Sequence, residues 1–394
     1  MNRESLISIT KVCSDGDWIE SKDQSSDGIR LVQTGNVGNG VYLDKTDRSK
    51  FVSEETFSRL RCTEIFPGDV LVSRLPDPIG RACIIPQTNQ KMITAVDCTI
   101  LRFDETKCLP NYFVFFSRSN DYHFQIEQST FGATRQRVSR KNLEQIKIPL
   151  PSLPEQQKIA AHLDSIQSAI DNKKQQLQQL DELVKSKFVE MFGENPVESG
   201  KWKVETLGSK SELITKGASP RWQGVEYQSE GTLFVTSENV REGYVDLTKS
   251  KYLPDEINEI LPRSILKKND VLINIVGASI GRAAIYEFEQ KANINQAVAL
   301  VRLNSSDLDK TFLLIYLNSE LAMKLYQSMI KGGARDNLSL KNISDLSIPV
   351  PPIELQNTFA EYVQKIDSAK SIIKTQLEDL QELLDSKMDE YFGE

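Results

Sequence analysis

Histidine is almost missing from this chain: His123 and His162 are the only two in 394 residues, which leaves little material for a His-based metal site or catalytic triad. Cysteine is scarce and one-sided. Cys13, Cys62, Cys83, Cys98 and Cys108 all lie in the first 108 residues and never as a C-x-x-C pair, which fits reduced thiols better than a zinc ribbon or a disulfide framework. No apolar run reaches the roughly 20 residues of a membrane span, and Met1-Asn-Arg-Glu4 lacks the apolar stretch of a signal peptide, so the sequence reads as cytoplasmic. Nucleotide loops are missing too. There is no G-x-G-x-x-G and no P-loop, and Pro351-Pro352 stands between Val350 and Ile353, not in the [DNS]-P-P-[YFW] setting of an amino-methyltransferase. Asp97 with Glu105-Thr-Lys107 matches the acidic-x-Lys site of a divalent-metal nuclease only superficially, with no counterpart at Ser305–Asp307.

What is present is a duplication. Residues 142–194 return as 342–394 at a displacement of 200, without a gap and with 21 of 53 positions identical. Asn142-Leu-Glu-Gln-Ile-Lys-Ile-Pro149-Leu-Pro151 becomes Asn342-Ile-Ser-Asp-Leu-Ser-Ile-Pro349-Val-Pro351, and Phe192-Gly193-Glu194 becomes Phe392-Gly393-Glu394. The chain therefore divides into globular segments 1–141 and 195–341, each followed by a helical one, 142–194 and 342–394. Two copies suit one internal two-fold axis better than a solenoid. The net charge of −7 sits on the helices: each globular segment has 19 basic against 18 acidic residues, the helical ones 6 against 8 and 4 against 11. Near-neutral globular segments allow a basic face opposite an acidic one.

Ser152-Leu-Pro-Glu155 has the pattern of a capping box with proline in the first helical turn. Leu163, Ile166, Ile170, Leu177, Leu180, Val184 and Met191 then recur at heptad spacing, and Val363, Ile366, Ile373, Leu377, Leu380, Leu384 and Tyr391 repeat it. Residues 154–192 as one helix would span roughly 60 Å at about 1.5 Å per residue. A single seam needs a partner, and the other copy in antiparallel pairing is the obvious one; a coiled coil between chains is the alternative. Lys173 and Lys370 interrupt the seams, either snorkelling to solvent or fixing register and antiparallel pairing.

The globular segments are weaker duplicates. Gly68-Asp-Val-Leu-Val-Ser73 parallels Asn269-Asp-Val-Leu-Ile-Asn274, and Ile79-Gly-Arg-Ala-Cys-Ile84 parallels Ile280-Gly-Arg-Ala-Ala-Ile285. Thr99–Phe103 and Ala297–Leu303 read as strands and the aromatic stretches after them as short helices, giving mixed α+β domains with a curved sheet. Between these anchors the copies diverge, so one scaffold presents two sets of loops.

The whole chain resembles the type I restriction–modification specificity subunits. The resemblance is carried by the duplicated architecture, the Ile-Pro-Leu-Pro-x-x-x-Glu-Gln run at Ile148–Gln156 and Trp202-x-x-x-x-Leu207-Gly208 at the opening of the second globular segment. Leu355 stands where the first copy has Glu155, and the first segment has no clear Trp-x-x-x-x-Leu-Gly opening. The resemblance implies two target-recognition domains on an antiparallel pair of conserved helices, pseudo-two-fold. It also implies a non-catalytic subunit that reads an asymmetric bipartite double-stranded DNA target. The expected partners are two modification subunits, which carry S-adenosylmethionine and methylate adenine, and restriction subunits. Two readers approaching one face of the duplex engage it about a helical turn, roughly 34 Å, apart.

Candidate DNA contacts follow from residue chemistry. Arg135, Gln136 and Arg137 follow Gly132, and Arg335 and Asn337 follow Gly332-Gly333. Glycine permits close approach, arginine forks onto guanine O6 and N7, and glutamine or asparagine pairs with adenine N6 and N7. The plainer reading is that these arginines brace the junction with the next helix or touch phosphate. Arg221-Trp222 is a basic–aromatic pair, with ordinary packing of Trp222 as the alternative. Arg81 and Arg282, in the shared Ile-Gly-Arg turn, are expected to serve the scaffold. Two other functions stay open: a coiled-coil protein-interaction scaffold, which would lack salt-dependent duplex binding, and a stand-alone restriction enzyme, which would act without partners.

Overall fold

Short β-branched runs punctuated by Gly, Asn and Asp build one α+β unit twice in the computed structural model, which describes residues 2–131, 136–330 and 337–393. Unit 1 comprises Met1–Gln175 with Lys374–Glu394; unit 2 is Gln176–Ile373.

In unit 1, Thr10–Asp15, Cys98–Phe103, Val70–Ser73 and Ala82–Ile84 lie side by side in that order, all antiparallel. A second sheet orders Lys50–Val52, Ile29–Val32, Met92–Thr94 and Glu64–Ile65, with Ile29–Val32 and Met92–Thr94 parallel. Unit 2 repeats both: Ser211–Lys216, Val298–Leu303, Val271–Asn274, Ala283–Ile285, then Tyr252–Leu253, Thr232–Val235, Ala292–Ile294, Ile265–Leu266, again with one parallel pair. Even the register irregularity recurs, between Thr10 and Val12 and between Ser211 and Leu213.

Strand periodicity explains why these runs are apolar throughout. Successive side chains of a strand face opposite ways, and both faces of the first sheet are covered. Val70 and Val72 enter the core shared with the helices while Leu71 enters the core between the sheets; Val271, Ile273 and Leu272 divide likewise. The helical side is aromatic. Tyr112 to Phe116 of helix Pro110–Phe116 are all buried, and the Tyr112 hydroxyl donates to Pro149 O at 2.7 Å, as the Tyr316 hydroxyl does to Ser347 O at 2.8 Å.

Two helices of 40 residues follow, α1 (Leu153–Phe192) and α2 (Ile353–Phe392). The amides of Glu155 and Gln156 both donate to the carbonyl of Ser152. The expected capping box does not form, because Glu155 turns outward beside Lys158, at 3.7 Å. Gln156 and Gln356 are fully buried and tie each helix start to its unit. Gln156 Oε1 accepts from Leu109 N at 3.0 Å and its Nε2 donates to Lys107 O and Pro151 O; Gln356 does the same with Asp309 N, Asp307 O and Pro351 O.

Within unit 1 the first half of α1 lies antiparallel to the last half of α2. Ile159, Leu163, Ile166 and Ile170 share a core with Leu384, Met388 and Phe392, and His162 Nδ1 is 2.8 Å from the Tyr391 hydroxyl. Within unit 2, Val184, Phe188 and Phe192 share a core with Phe359 and Val363, and Ile366 packs against it. Leu177, Leu180, Ile373, Leu377 and Leu380 are half-buried. Lys370 reaches across to Asp181 Oδ1 at 2.6 Å, a directional contact between the helices, whereas Lys173 is half-buried with no such partner among the described residues. Among the described residues no helix is long and apolar enough to cross a membrane.

The Trp202–Gly208 run has a mechanical basis in unit 2. Trp202 Nε1 donates to Phe192 O at 2.9 Å, closing the end of α1, Leu207 is buried, and a Cβ on Gly208 would come within 2.2 Å of the Ser344 hydroxyl. Unit 1 lacks the tryptophan but keeps the pairing: Arg3–Ser5 runs along Lys147–Pro149 as Lys203–Thr206 runs along Ser347–Val350.

Candidate nucleic-acid interface

The loops that carry several of the candidate residues leave one end of the first sheet in each unit. In unit 1 the row Asp15, Thr99, Val72, Ala82 crosses that end; in unit 2 it is Lys216, Ala299, Ile273, Ala283. At about 4.8 Å between strands each row spans about 14 Å. The loops that leave here follow Asp15 or Lys216, join Ser73 to Ala82 or Asn274 to Ala283, and precede Cys98 or Val298. The segment leading to Val138 or Leu338 joins them by main-chain bonds: Val138 N donates to Arg74 O at 3.3 Å and Leu338 N to Ile275 O at 2.9 Å.

In unit 1 these positions carry charge. Arg74 is buried, 3.4 Å from Asp15 Oδ2, and its other nitrogen donates to Val96 O. Burial holds the Arg74 guanidinium below its usual pKa, with Asp15 opposing. Arg137 Nη2 lies 3.2 Å from Asp97 Oδ1, both side chains partly exposed. In unit 2 the same backbone positions hold Lys216, Ile275, Ala297 and Asn337, so the charged network is gone. Lys216, Arg221 and Arg282 are exposed instead, with no side-chain partner among the described residues.

The scaffold beneath is conserved between the units. Arg102 grips buried Asp69 through two bonds of 2.7 Å, and Arg302 grips Asp270 at 2.7 and 2.6 Å. Ser139 and Ser339 each cap the following helix by accepting from the amide of Asn142 or Asn342.

Among the residues singled out from sequence, Arg135 and Arg335 lie outside the described residues. Gln136 is exposed on the rim of a shallow cleft of about 510 Å³ that Pro76, Pro78, His123 and Thr130 also line; burial holds His123 below its usual pKa. Arg137 and Asn337 are exposed at equivalent places. Arg221 and Trp222 occupy the turn Pro220–Gln223, and Trp222 is 84% exposed, which sets aside ordinary packing for it. Arg81 serves the scaffold as expected: buried, it donates to the carbonyls of Val37, Leu75, Pro78 and Thr34. Arg282 does not. Asn274, standing where unit 1 has Ser73, bonds to Ser237 O and the Ser279 hydroxyl and takes over that bracing, leaving Arg282 in solvent.

Trp18 was missed. It is 70% exposed in the loop after Asp15, the equivalent of the loop that carries Trp222. The signal was a glycine directly after the strand in both copies. A Cβ on Gly16 would meet Thr94 O at 2.4 Å and one on Gly217 would meet Ile294 O at 1.6 Å, so only glycine lets the loop leave there. The nuclease-like triplet is dispersed. Asp97 and Glu105 flank opposite ends of strand Cys98–Phe103, which is about 20 Å long at about 3.3 Å per residue, and Lys107 donates to Ser8 O. Among the described residues no group of three His, Cys, Asp or Glu side chains is placed to hold a metal ion.

The fold is a duplicated α+β scaffold whose matching strand ends carry unlike residues. The chain belongs to the family of the type I restriction modification DNA specificity domain, whose profile matches residues 8–182 and 200–382. It is 27% identical over 286 residues to the type I restriction enzyme EcoBI specificity subunit of Escherichia coli, an alignment covering 67% of this chain and 60% of that relative. It is 23% identical over 297 residues to the MjaVIII specificity subunit of Methanocaldococcus jannaschii, covering 72% and 70%. Among solved structures, a chain from work on complex assembly and conformational transition of the type I R-M system superposes with a TM-score of 0.61 at 17% identity, covering 99% and 97%. The type I restriction-modification system S subunit from M. genitalium gives 0.56 at 14%, covering 100% and 96%. At these identities the structural likeness is one of fold.

Proposed function

We propose that this chain is the DNA-reading, non-catalytic subunit of a type I restriction–modification complex, with segments 1–141 and 195–341 each reading one half of an asymmetric bipartite duplex target. The observation that carries the reading is the contrast at one end of the first sheet. Asp15, Arg74, Asp97 and Arg137 of unit 1 are replaced by Lys216, Ile275, Ala297 and Asn337 at the same backbone positions of unit 2, over a scaffold that repeats the Arg102–Asp69 grip as Arg302–Asp270 and the Ser139 cap as Ser339. A protein that held one ligand twice would repeat its contact residues along with its scaffold. Gln136, Arg137, Arg221, Trp222 and Asn337, with Arg135 and Arg335, are the proposed contact residues.

Segments 142–194 and 342–394 act as the spacers and carry the acidic faces to which two modification subunits dock; restriction subunits join the complex. S-Adenosylmethionine belongs to the modification subunits, and the host cytoplasm is the place of action. The test is duplex binding by the full chain across salt concentrations. A DNA reader neutralises phosphates and loses affinity steeply with salt; binding absent or independent of salt would remove the reading.

A further inference from the structure

Residues 137 and 337 occupy one structural position. Each directly precedes a buried residue, Val138 or Leu338, whose amide donates to the same turn, and each stands two residues before the serine that caps the next helix. Because the next side chain points into the core, both Arg137 and Asn337 point outward and are exposed. The position is thus fixed by the scaffold on both sides while its own side chain is free to vary.

A second residue changes with it. Asp97 and Ala297 are also equivalent, since Arg74 N donates to Asp97 O and Ile275 N to Ala297 O, each at 2.9 Å. Where the outward residue is arginine the neighbour is a carboxylate 3.2 Å away; where it is asparagine the neighbour is a methyl group. A carboxylate 3.2 Å from one nitrogen draws the guanidinium to the Asp97 side by charge and leaves its other N–H groups for a base edge. An amide needs no such counter-charge.

We propose that 137 and 337 are the matched specificity positions of the two units: Arg137, oriented by Asp97, reads a guanine in one half-site, and Asn337 reads an adenine in the other. The assignment rests on the DNA-reading function proposed above. Arginine presents paired donors to guanine O6 and N7, and the asparagine amide offers one donor and one acceptor to adenine N7 and N6. Asp97 is a positioning residue.

The test is selection from a library of randomised duplexes by the full chain, wild type against Arg137→Asn, Asn337→Arg and Asp97→Ala. Arg137→Asn should lower the preference for one guanine about 5- to 150-fold, the equivalent of about 1–3 kcal/mol, with the other half-site unchanged. Asn337→Arg should remove one adenine preference in the other half alone. Asp97→Ala, which copies unit 2, should weaken the same guanine preference as Arg137→Asn without touching the second half. An unchanged consensus in both the 137 and 337 variants overturns the proposal but leaves the DNA-reading function standing, as does an equal loss over all sequences, which assigns Arg137 to phosphate. A wild-type chain that selects no consensus overturns both.

Discussion

Single buried side chains decide how each unit holds its helices, and the duplicated glutamines are the clearest case. Gln156, itself fully buried, satisfies one amide and two carbonyls. Gln156→Ala leaves them unpaired, and the expected loss is about 2–4 kcal/mol, read as a lower denaturant midpoint for unit 1; Gln356→Ala should do the same to unit 2. The thiols give a second expectation. Burial pushes Cys83 and Cys108 from an ordinary value of 9.0 up to about 12, and Cys62 and Cys98 up to about 11. Thiolate is the reactive form, so a thiol reagent at neutral pH should label the native chain slowly and the unfolded chain at all five positions. The sign for stability follows. With folded values raised, the thiol contribution is fully present below about pH 9 and is lost as pH rises toward 11–12, so an alkaline fall in midpoint should accompany faster labelling. At this scale the sequence was only partly readable. Arg137 and Asn337 were found through their glycine-flanked loops, but Asp15, Arg74, Asp97 and Arg137 meet only because three strands and a hairpin converge, across a span of 123 positions, and no local pattern announces that.

The long helices were legible because their information is local: heptad spacing, proline at the start and glycine at the end lie within 40 residues. The seam extends beyond the heptad positions first read. Phe188, Phe192, Phe359, Met388 and Phe392 carry much of the burial, because the helix ends pack against globular cores as well as against each other. Phe392 lies 5.4 Å from Tyr112 and 5.7 Å from Phe116, and Phe192 lies 4.7 Å from Phe312. Phe392→Ala should therefore cost unit 1 about 3–5 kcal/mol, and Phe192→Ala should cost unit 2 as much, measured by hydrogen exchange in each unit. Ending the chain after Ile373 makes a sharper case. It removes Leu384, Met388 and Phe392 from the unit 1 core while leaving every residue of unit 2, so unit 1 should lose exchange protection and unit 2 keep it. Equal protection in both would show that the antiparallel packing contributes little. The sheets were less readable. Strands could be located, but the parallel pairing of Ile29–Val32 with Met92–Thr94 is fixed by contacts 62 residues apart, beyond any local signal.

On the proposed function, one scaffold carries two different readers and leaves chemistry to partners. Duplex affinity should fall at least about 10-fold between about 50 and about 200 mM salt. The architecture was visible from the 200-residue displacement alone, whereas the difference between the readers emerged only when equivalent strand ends could be matched. The most direct measurement is methylome sequencing of a host carrying this chain with its modification subunits, beside the same host lacking this chain. Adenine methylation is expected at one bipartite motif whose two halves differ in sequence, lost entirely without the chain. A motif with identical halves, or a methylation pattern that persists when the chain is removed, would contradict it.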